Sequence, residues 1–102
     1  MSNLTITNLE NCFRSAIDSG YNYVAVRIQI EGFPTDEIII NPLANAEDKL
    51  AYYKNAYNEN LTHKQVGANI RIVGFTFGDT FEDIEDDFYE KMVASKIILK
   101  ED

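Results

Sequence analysis

The sequence predicts an α+β fold in two layers: a small antiparallel or mixed sheet of three or four strands, with helices mainly on one face. Apolar residues alternate along residues 21–31, as in a strand that buries one face. They recur at helical spacing in three other segments. The predicted order is α-β-β-α-β-α, with residues 96–100 as a candidate final β. A chain of 102 residues fits a single domain spanning 1–102.

The first helix is predicted to begin at Thr7, because Thr7-Asn8-Leu9-Glu10 has the spacing of a capping box. Gly20 is predicted to end it as a left-handed cap. Cys12 falls on the apolar face and is interpreted as a small buried hydrophobe. As the only cysteine, it also excludes an internal disulfide. The apolar face consists of Leu9, Cys12, Phe13, Ala16 and Ile17.

A hairpin follows the first helix. Val24, Val26, Ile28 and Ile30 point one way, while the other face of the strand, with Tyr23, Arg27 and Gln29, is expected to be open. Residues 32–35 form the predicted loop, and residues 36–41 form the returning strand. Glu31, Asp36 and Glu37 should therefore cluster at the mouth of the hairpin.

The second helix is predicted to start at Asn45, with Glu47 and Asp48 in its first turn. Its inner stripe is predicted to belong to the core, although a tyrosine-rich contact surface is the alternative. Residues 58–68 are predicted to be a polar connection. We expect His63 in a loop, as neither a metal ligand nor a catalytic residue. The stripe consists of Ala46, Leu50, Tyr53, Tyr57 and Leu61, with Tyr52 outside it.

The third strand is predicted over residues 69–77. Ile70 and Ile72 have one parity and Phe75 and Phe77 the other, so a bulge at Gly74 would turn all four inward. The crossover between the second and third strands makes those two parallel. If the third strand lies beside the first, it is antiparallel to it. Residues 96–100 have lysines at both ends, as edge strands often do.

Residues 79–90 carry most of the charge. They hold seven of the 17 acids and none of the nine bases. The net charge of the whole chain is −8, so most of it lies in this segment. Asp79 is the predicted N-cap, with Glu82 at capping-box spacing. An apolar stripe of Phe81, Ile84, Phe88 and Met92 should face inward. The acids predicted on the opposite side are Asp79, Glu82, Asp83, Asp86, Asp87 and Glu90.

Two interpretations of this acidic helix remain open. It is either a solvated face, as most charge runs are, or a binding surface, since merely soluble faces usually mix both signs. A loosely bridged divalent cation is a further alternative, but the segment lacks the glycine of an EF-hand loop. No phosphate-binding loop and no nucleophile–histidine pair is evident. We therefore expect no enzymatic activity and no cofactor.

The composition limits the classes of partner. A pI near 4.5 disfavours direct binding to nucleic acid or to an anionic membrane. The first residues have neither the charge nor the apolar run of a signal peptide, and no apolar run approaches the length of a membrane span. We expect a soluble cytoplasmic protein.

The run Glu85-Asp86-Asp87-Phe88-Tyr89-Glu90, together with the strand-then-helix passage from Glu37-Ile38-Ile39-Ile40 to Leu50-Ala51-Tyr52-Tyr53, resembles the small type II-A anti-CRISPR proteins of Gram-positive phages and mobile elements. The resemblance covers about a third of the chain. The element order departs from that family, with two strands before the middle helix and one after it. The resemblance implies that the acids occupy the site where arginines of an RNA-guided nuclease read a short duplex motif.

The leading functional hypothesis is therefore a DNA-mimic inhibitor of a basic nucleic-acid-binding protein, such as a CRISPR effector nuclease. Its partner-binding residues would be the six acids of the helix together with Glu31, Asp36 and Glu37. The alternative is an accessory or assembly domain of a phage or mobile element. It would form homo- or hetero-oligomers through the open face of the first strand and Tyr52.

Overall fold

The computed structural model describes residues 4–89. Within these residues the helices and strands follow the order α-β-β-α-β-β-α, and a 3₁₀ turn over Leu43–Asn45 leads into the second long helix. They are α1 (Ile6–Ser19), β1 (Tyr23–Ile30), β2 (Glu37–Pro42), α2 (Ala46–Ala56), β3 (Thr62–His63), β4 (Gly67–Gly78) and a helix over residues 81–89, called α3.

The strands form one four-stranded sheet in the order β2-β1-β4-β3, and every neighbouring pair is antiparallel. The predicted α+β fold with a small antiparallel sheet is therefore confirmed. Strand β4 lies beside β1 and antiparallel to it, so it runs in the same direction as β2, as expected. The candidate strand at residues 96–100 lies outside the described residues.

Helices α1 and α2 pack against the sheet face formed by Val24, Val26 and Ile28 of β1, which we call the first face. Alternation along β1 places these three side chains on one side, where they are buried. The five residues predicted for the inner stripe of α2 are at most 5% exposed, which confirms them as core, although Tyr57 and Leu61 lie beyond the end of the helix. The buried side chains contributed by the helices and the connection after α2 are Leu9, Phe13, Ala16, Ala46, Leu50, Tyr53, Tyr57 and Leu61.

The helix ends follow local capping chemistry. Thr5, not Thr7, caps α1, and its hydroxyl accepts a hydrogen bond from the Asn8 amide at 3.1 Å. The prediction was two residues late because Ile6 packs against the core and joins the first helical turn. Gly20 ends the helix in the left-handed conformation, with a φ of 73°, as predicted. Asn45 precedes α2 as expected, although its side chain makes no capping bond.

Strand β4 contains the predicted bulge. Arg27 lies opposite Gly74 and Ile28 lies opposite Ile72, so Val73 is the extra residue. Because of this insertion, the aromatic residues after the bulge face the same way as the isoleucines before it. The four side chains that pack on the first-face core are Ile70, Ile72, Phe75 and Phe77.

The other side of the sheet, the second face, is covered in part by α3. The expectation that β1 buries one face only is wrong at Ala25, which is completely buried beneath Ile84 and Phe88. Tyr23 and Ile40 pack around this small cluster. The helices still lie mainly on one face, because α1 and α2 share the first face. Where α3 covers the sheet, however, the molecule has three layers.

The predicted polar connection at residues 58–68 contains a short strand, β3, that was not predicted. Thr62 and His63 form β3, which pairs with β4, so His63 is not in a loop. Its Nδ1 accepts hydrogen bonds from the amides of Gln65 and Val66 at 3.1 and 3.3 Å. In this arrangement the imidazole stabilises the turn between β3 and β4.

Candidate functional site

Helix α3 is fixed at its first turn by Thr80. The Thr80 hydroxyl accepts a hydrogen bond from the Asp83 amide at 3.0 Å, so Thr80 and not Asp79 is the N-cap. Asp79 instead joins α3 to the start of β1. Its carboxylate accepts from the Asn22 amide at 3.2 Å, and its carbonyl accepts from the Asn22 side chain at 3.1 Å. The predicted cap was wrong by one residue because Asp and Thr are adjacent and both cap well.

Two glycines of β4 let α3 approach the sheet closely. A Cβ at Gly78 would lie 3.0 Å from the Cβ of Asp83, and a Cβ at Gly74 would lie 3.4 Å from the Phe88 ring. Both glycines lie opposite residues of β1 that face α3, namely Tyr23 and Arg27. The absent side chains therefore leave a groove in which α3 sits.

The inward side of α3 rests on two anchors. Ile84 and Phe88 are buried, as the predicted apolar stripe requires. Phe81 belongs to the same predicted stripe but is 55% exposed, with its ring on the edge of Tyr23 at a centroid distance of 4.9 Å. Met92 lies outside the described residues.

The outward side of α3 presents four carboxylates, Glu82, Asp83, Glu85 and Asp86, which we call the acidic surface. All four side chains are exposed. Within residues 4–89, none of them takes part in a salt bridge. Among the described residues, negative charge is therefore concentrated on the exposed side of α3 without a paired cation.

The remaining predicted acids of this helix differ from that group. Asp87 is half-buried, and its Oδ2 atom is shielded from solvent. Glu90 lies outside the described residues. Glu85 was not among the predicted binding residues, yet it is exposed between Glu82 and Asp86. Its spacing gave a usable signal, because Glu82, Glu85, Asp86 and Tyr89 stand at i, i+3, i+4 and i+7 on one helical ridge.

The hairpin acids do not form the predicted cluster. Asp36 lies on the second face and pairs with Arg27, with 3.2 Å between Oδ2 and Nε. Glu37 faces the opposite way and borders a cavity beside Tyr53 and Tyr57. Glu31 is exposed at the end of β1, and its amide donates to the Asn69 carbonyl at 2.8 Å. Alternation along β2 separates its two neighbouring acids onto opposite faces.

A cation lies beneath α3. The guanidinium carbon of Arg27 is 5.7 Å from the centre of the Phe88 ring, and the arginine side chain is only 16% exposed. The distance fits a cation–π contact, and the Asp36 carboxylate is the nearby counter-charge. Arg27 thus supports the underside of the helix while the acidic surface faces away from the sheet.

A shallow recess of about 380 Å³ opens between α3 and the sheet edge at β2. Ile38, Phe88 and Tyr89 supply its apolar wall, and Glu85 and Asp86 supply its acidic rim. Ile38 is 39% exposed and Tyr89 is 65% exposed. Neither was predicted as a site residue, because an isoleucine in a strand and a tyrosine in a helix both read as ordinary core or surface positions.

The surface predicted to mediate assembly, the open face of β1 together with Tyr52, is less exposed than expected. Tyr23 and Arg27 are half-buried by α3, and the Gln29 side chain accepts two hydrogen bonds from Arg71 at 2.8 and 3.0 Å. Tyr52 remains 53% exposed, and the Lys49 ammonium lies 5.7 Å from its ring centre. The parts of that predicted surface that stay exposed are therefore Tyr52 and Gln29, and Gln29 is held by Arg71.

The buried tyrosines of the first face have altered acidity. Burial raises the pKa of Tyr53 to about 12, and the side chain of Asn41 acts in the opposite direction. Burial also raises the pKa of Tyr57. Both phenols therefore stay neutral at physiological pH, as expected for core residues.

The described part of the chain lacks the arrangements of side chains that metal binding or hydrolysis would need. Residues 4–89 contain no group of three histidine, cysteine or acidic side chains arranged to hold a metal ion. A cavity of about 750 Å³ lies between the start of α1 and β4, with Glu59 and Arg71 as its charged lining residues. It does not contain the pair of carboxylates that hydrolysis of a glycosidic bond requires.

Comparisons with known proteins identified no relative. The chain matches no protein-family model, no curated protein and no solved structure. Among the described helices, none has both the length and the apolar character needed to cross a bilayer.

Proposed function

We propose that this protein is a non-enzymatic inhibitor that binds a basic nucleic-acid-binding protein through its acidic surface and so competes with nucleic acid. The observation that carries the proposal is the exposure of four carboxylates along α3 without salt-bridge partners in the described structure. A cytoplasmic location follows from the nature of the partner.

The proposal has an electrostatic basis. Proteins that bind DNA meet its closely spaced phosphates with lysine and arginine. A helix held firmly on a sheet can present carboxylates to the same basic groove at fixed positions. Its anchoring by Ile84, Phe88 and the Thr80 cap supplies that rigidity. Complementary charge would accelerate association and make it weaken as salt rises.

The resemblance to type II-A anti-CRISPR proteins narrows the class of partner. It rests on Glu85-Asp86-Asp87-Phe88-Tyr89-Glu90, the segment that includes half of the acidic surface. An RNA-guided nuclease, whose arginines read a short duplex motif in the major groove, is the partner we propose on that basis. Under this proposal the protein binds the nuclease itself and has no direct affinity for nucleic acid or membrane.

The test is inhibition and capture of a guide-loaded type II-A CRISPR nuclease at low and high salt. We expect inhibition of target cleavage, competition by duplex DNA and release at high salt. The triple variant Glu82→Lys, Glu85→Lys, Asp86→Lys should abolish both effects. Asp87 is left unchanged because it is half-buried, so its replacement would mix folding with binding.

A matched control carries the same change in net charge at other exposed acids: Asp18→Lys, Asp48→Lys, Glu59→Lys. It should retain inhibition to within about threefold, because screening limits the influence of distant charges. If both triple variants lost inhibition equally, inhibition would depend on the net charge of the protein and not on the acidic surface. Full activity in the α3 variant would contradict the proposal. Pull-down from Gram-positive lysate extends the search to other DNA-binding proteins.

A second candidate function is oligomeric assembly through Tyr52. It is favoured by the exposure of that ring beside Lys49, since exposed tyrosines are enriched at interfaces. Mass measurement in dilute solution separates the two proposals. A tight homodimer that Tyr52→Ala converts to monomer would support assembly, and a monomer that binds the nuclease would support inhibition.

A further inference from the structure

The sheet ends at β2. In the strand order β2-β1-β4-β3, one side of β2 pairs with β1 from Tyr23 to Ile28, and no strand within residues 4–89 pairs with its other side. Every second residue of an antiparallel edge strand directs its amide and carbonyl outward. These outward groups can form hydrogen bonds with an added strand.

Strand β2 lacks most of the features that usually protect a sheet edge. It is six residues long, contains three consecutive isoleucines and no lysine, and pairs with β1 without a register shift. Pro42 stands only at its end. A straight apolar edge of this kind is a suitable template for an extended segment.

The recess beside α3 lies next to this edge. Side chains of an added strand alternate between the two faces, so every second one would enter the space beside Ile38. There it would meet the apolar walls of Ile38 and Phe88 and then the carboxylates of Glu85 and Asp86. Lysine and arginine fit this sequence of surfaces, because their aliphatic stems cover apolar groups while their charges stay outside. The exposed Tyr89 ring adds a cation–π surface.

Charge argues against a second copy of this chain as the occupant. Antiparallel pairing of two β2 edges requires a twofold axis perpendicular to the sheet, which keeps both α3 helices on one face. Glu85 and Asp86 of the two copies would then face each other across the new strand pair. Like charges in that position oppose association, whereas a cationic strand neutralises them.

We propose that β2 and the recess beside it bind an extended basic segment of the partner, which adds a strand to the sheet and directs alternate lysine or arginine side chains toward Glu85 and Asp86. This inference rests on the proposed function, because it concerns how the basic partner is held. It adds a main-chain requirement that a purely electrostatic surface lacks.

Three hexapeptides of identical side-chain composition test this requirement. The first alternates, Lys-Val-Lys-Val-Lys-Val; the second groups the residues, Lys-Lys-Lys-Val-Val-Val; and the third is the alternating peptide N-methylated at every backbone amide, so that neither of its edges can donate to β2. Binding is followed by calorimetry and by amide shifts of β2. We expect the alternating peptide to bind at least about tenfold more tightly than the other two, because only it can both pair and align its charges.

Paired variants of the protein locate the site. Ile38→Lys places a cation in the recess and should abolish binding of the alternating peptide. Val66→Lys makes the same change at a similarly exposed apolar residue near the opposite edge of the sheet, and binding should stay within about twofold. Equal losses in the two variants would overturn the proposal.

The outcomes separate strand addition from the proposed function. Equal binding of all three peptides that Glu85→Lys removes would overturn strand addition and leave the acidic surface intact. Hydrogen exchange of β2 in the free protein completes the test, with fast exchange of alternate amides expected. Slow exchange at every dilution would mean that the chain covers its own edge, and protection that rises with concentration would mean a second copy; either result overturns the proposal.

Discussion

The two faces of the sheet are built differently. The first face buries large side chains from α1 and α2, including Phe13, Leu50 and Tyr53. Within residues 4–89, the second face buries one side chain of the sheet, Ala25, with Ile84 and Phe88 from α3. Where the first face interlocks bulky groups, the second provides glycines and a shallow groove. The contrast indicates that the first face supplies most of the stability and the second positions the charge.

The largest expected effect comes from removing one phenylalanine on each face. Phe13 is completely buried and meets Tyr53 edge-on at 6.0 Å. Phe13→Ala should lower the free energy of unfolding by about 3–5 kcal/mol, through lost burial and a cavity. Phe88→Ala should cost less, about 2–3 kcal/mol, because α3 can detach without opening the main core.

Urea denaturation and amide exchange check this comparison. After Phe88→Ala, increased exchange should be confined to α3 and to the parts of β1 and β4 beneath it. A global increase in exchange that matches Phe13→Ala would show that the two faces form one cooperative unit.

The second effect is a pH dependence that belongs to the first face. The pKa of Tyr53 is about 12 in the folded state against 10.0 for the unconstrained side chain. The unfolded state therefore loses this proton first, so stability is fully present below about pH 10 and falls as pH rises toward 12. At 1.36 kcal/mol per pKa unit, the loss approaches about 2–3 kcal/mol.

Denaturation at several pH values, with Tyr53→Phe as the reference, measures that loss. Subtracting the two curves removes the titration of lysines, which both proteins share. The raised pKa of Tyr57 acts in the same direction and remains in the reference. Parallel curves for the two proteins between pH 10 and 12 would contradict the prediction.

The third effect concerns the groove under α3. Gly78→Ala places a methyl group 3.0 Å from the Asp83 Cβ and 3.5 Å from Ile84, so α3 must shift. We expect a destabilisation of about 1–3 kcal/mol and weaker partner binding. Gly74→Ala is the milder comparison, since its Cβ would lie 3.4 Å from a ring that can move slightly. The NMR chemical shifts of α3 should change more in Gly78→Ala than in Gly74→Ala. Unchanged α3 shifts in both variants would contradict close packing of α3 on these glycines.

The smallest effect compares two ion pairs. Arg27 is mostly buried, pairs with Asp36 and lies against the Phe88 ring. Arg27→Ala should cost about 1–2 kcal/mol from lost packing, ion pairing and cation–π contact. Arg14 pairs with Glu47 at 2.9 Å, but both side chains are largely exposed, so Arg14→Ala should cost less than about 1 kcal/mol. Thermal denaturation that ranks them the other way would contradict this account.

Much of the fold could be predicted from periodicity. The inner stripe of α2, the alternation of β1 and the bulge near Gly74 all follow from the spacing of apolar residues, and each is present in the structure. Strand β3 could not be found in this way, because two residues show no period. The N-cap of α1 was predicted two residues late because Ile6 joins the helix, and the N-cap of α3 was predicted one residue early because Asp79 stands beside Thr80.

The candidate site could be predicted only in part. The acidic segment and its buried anchors were evident, but the location of α3 on the second face was not. The relevant signal was the run of small residues on that face, Ala25, Gly74 and Gly78, which belong to strands far apart in sequence. Local patterns report which face of an element is apolar, whereas the pairing of distant strands decides what covers it. Asp36 and Glu37 were grouped wrongly for a different reason, since consecutive residues at the start of a strand face opposite sides of the sheet.

The bulge at Val73 interrupts an otherwise regular strand pair. Without Val73, residues 70–78 would read Ile-Arg-Ile-Gly-Phe-Thr-Phe-Gly. Large apolar residues would then occupy every second position without interruption. The pairing of Ile72 with Ile28 and of Gly74 with Arg27 would then be continuous. Val73 thus shifts the register within a single strand pair, and the pairing on either side of it is regular. A variant that lacks Val73 is therefore expected to keep the groove for α3 and the aromatic core positions unchanged.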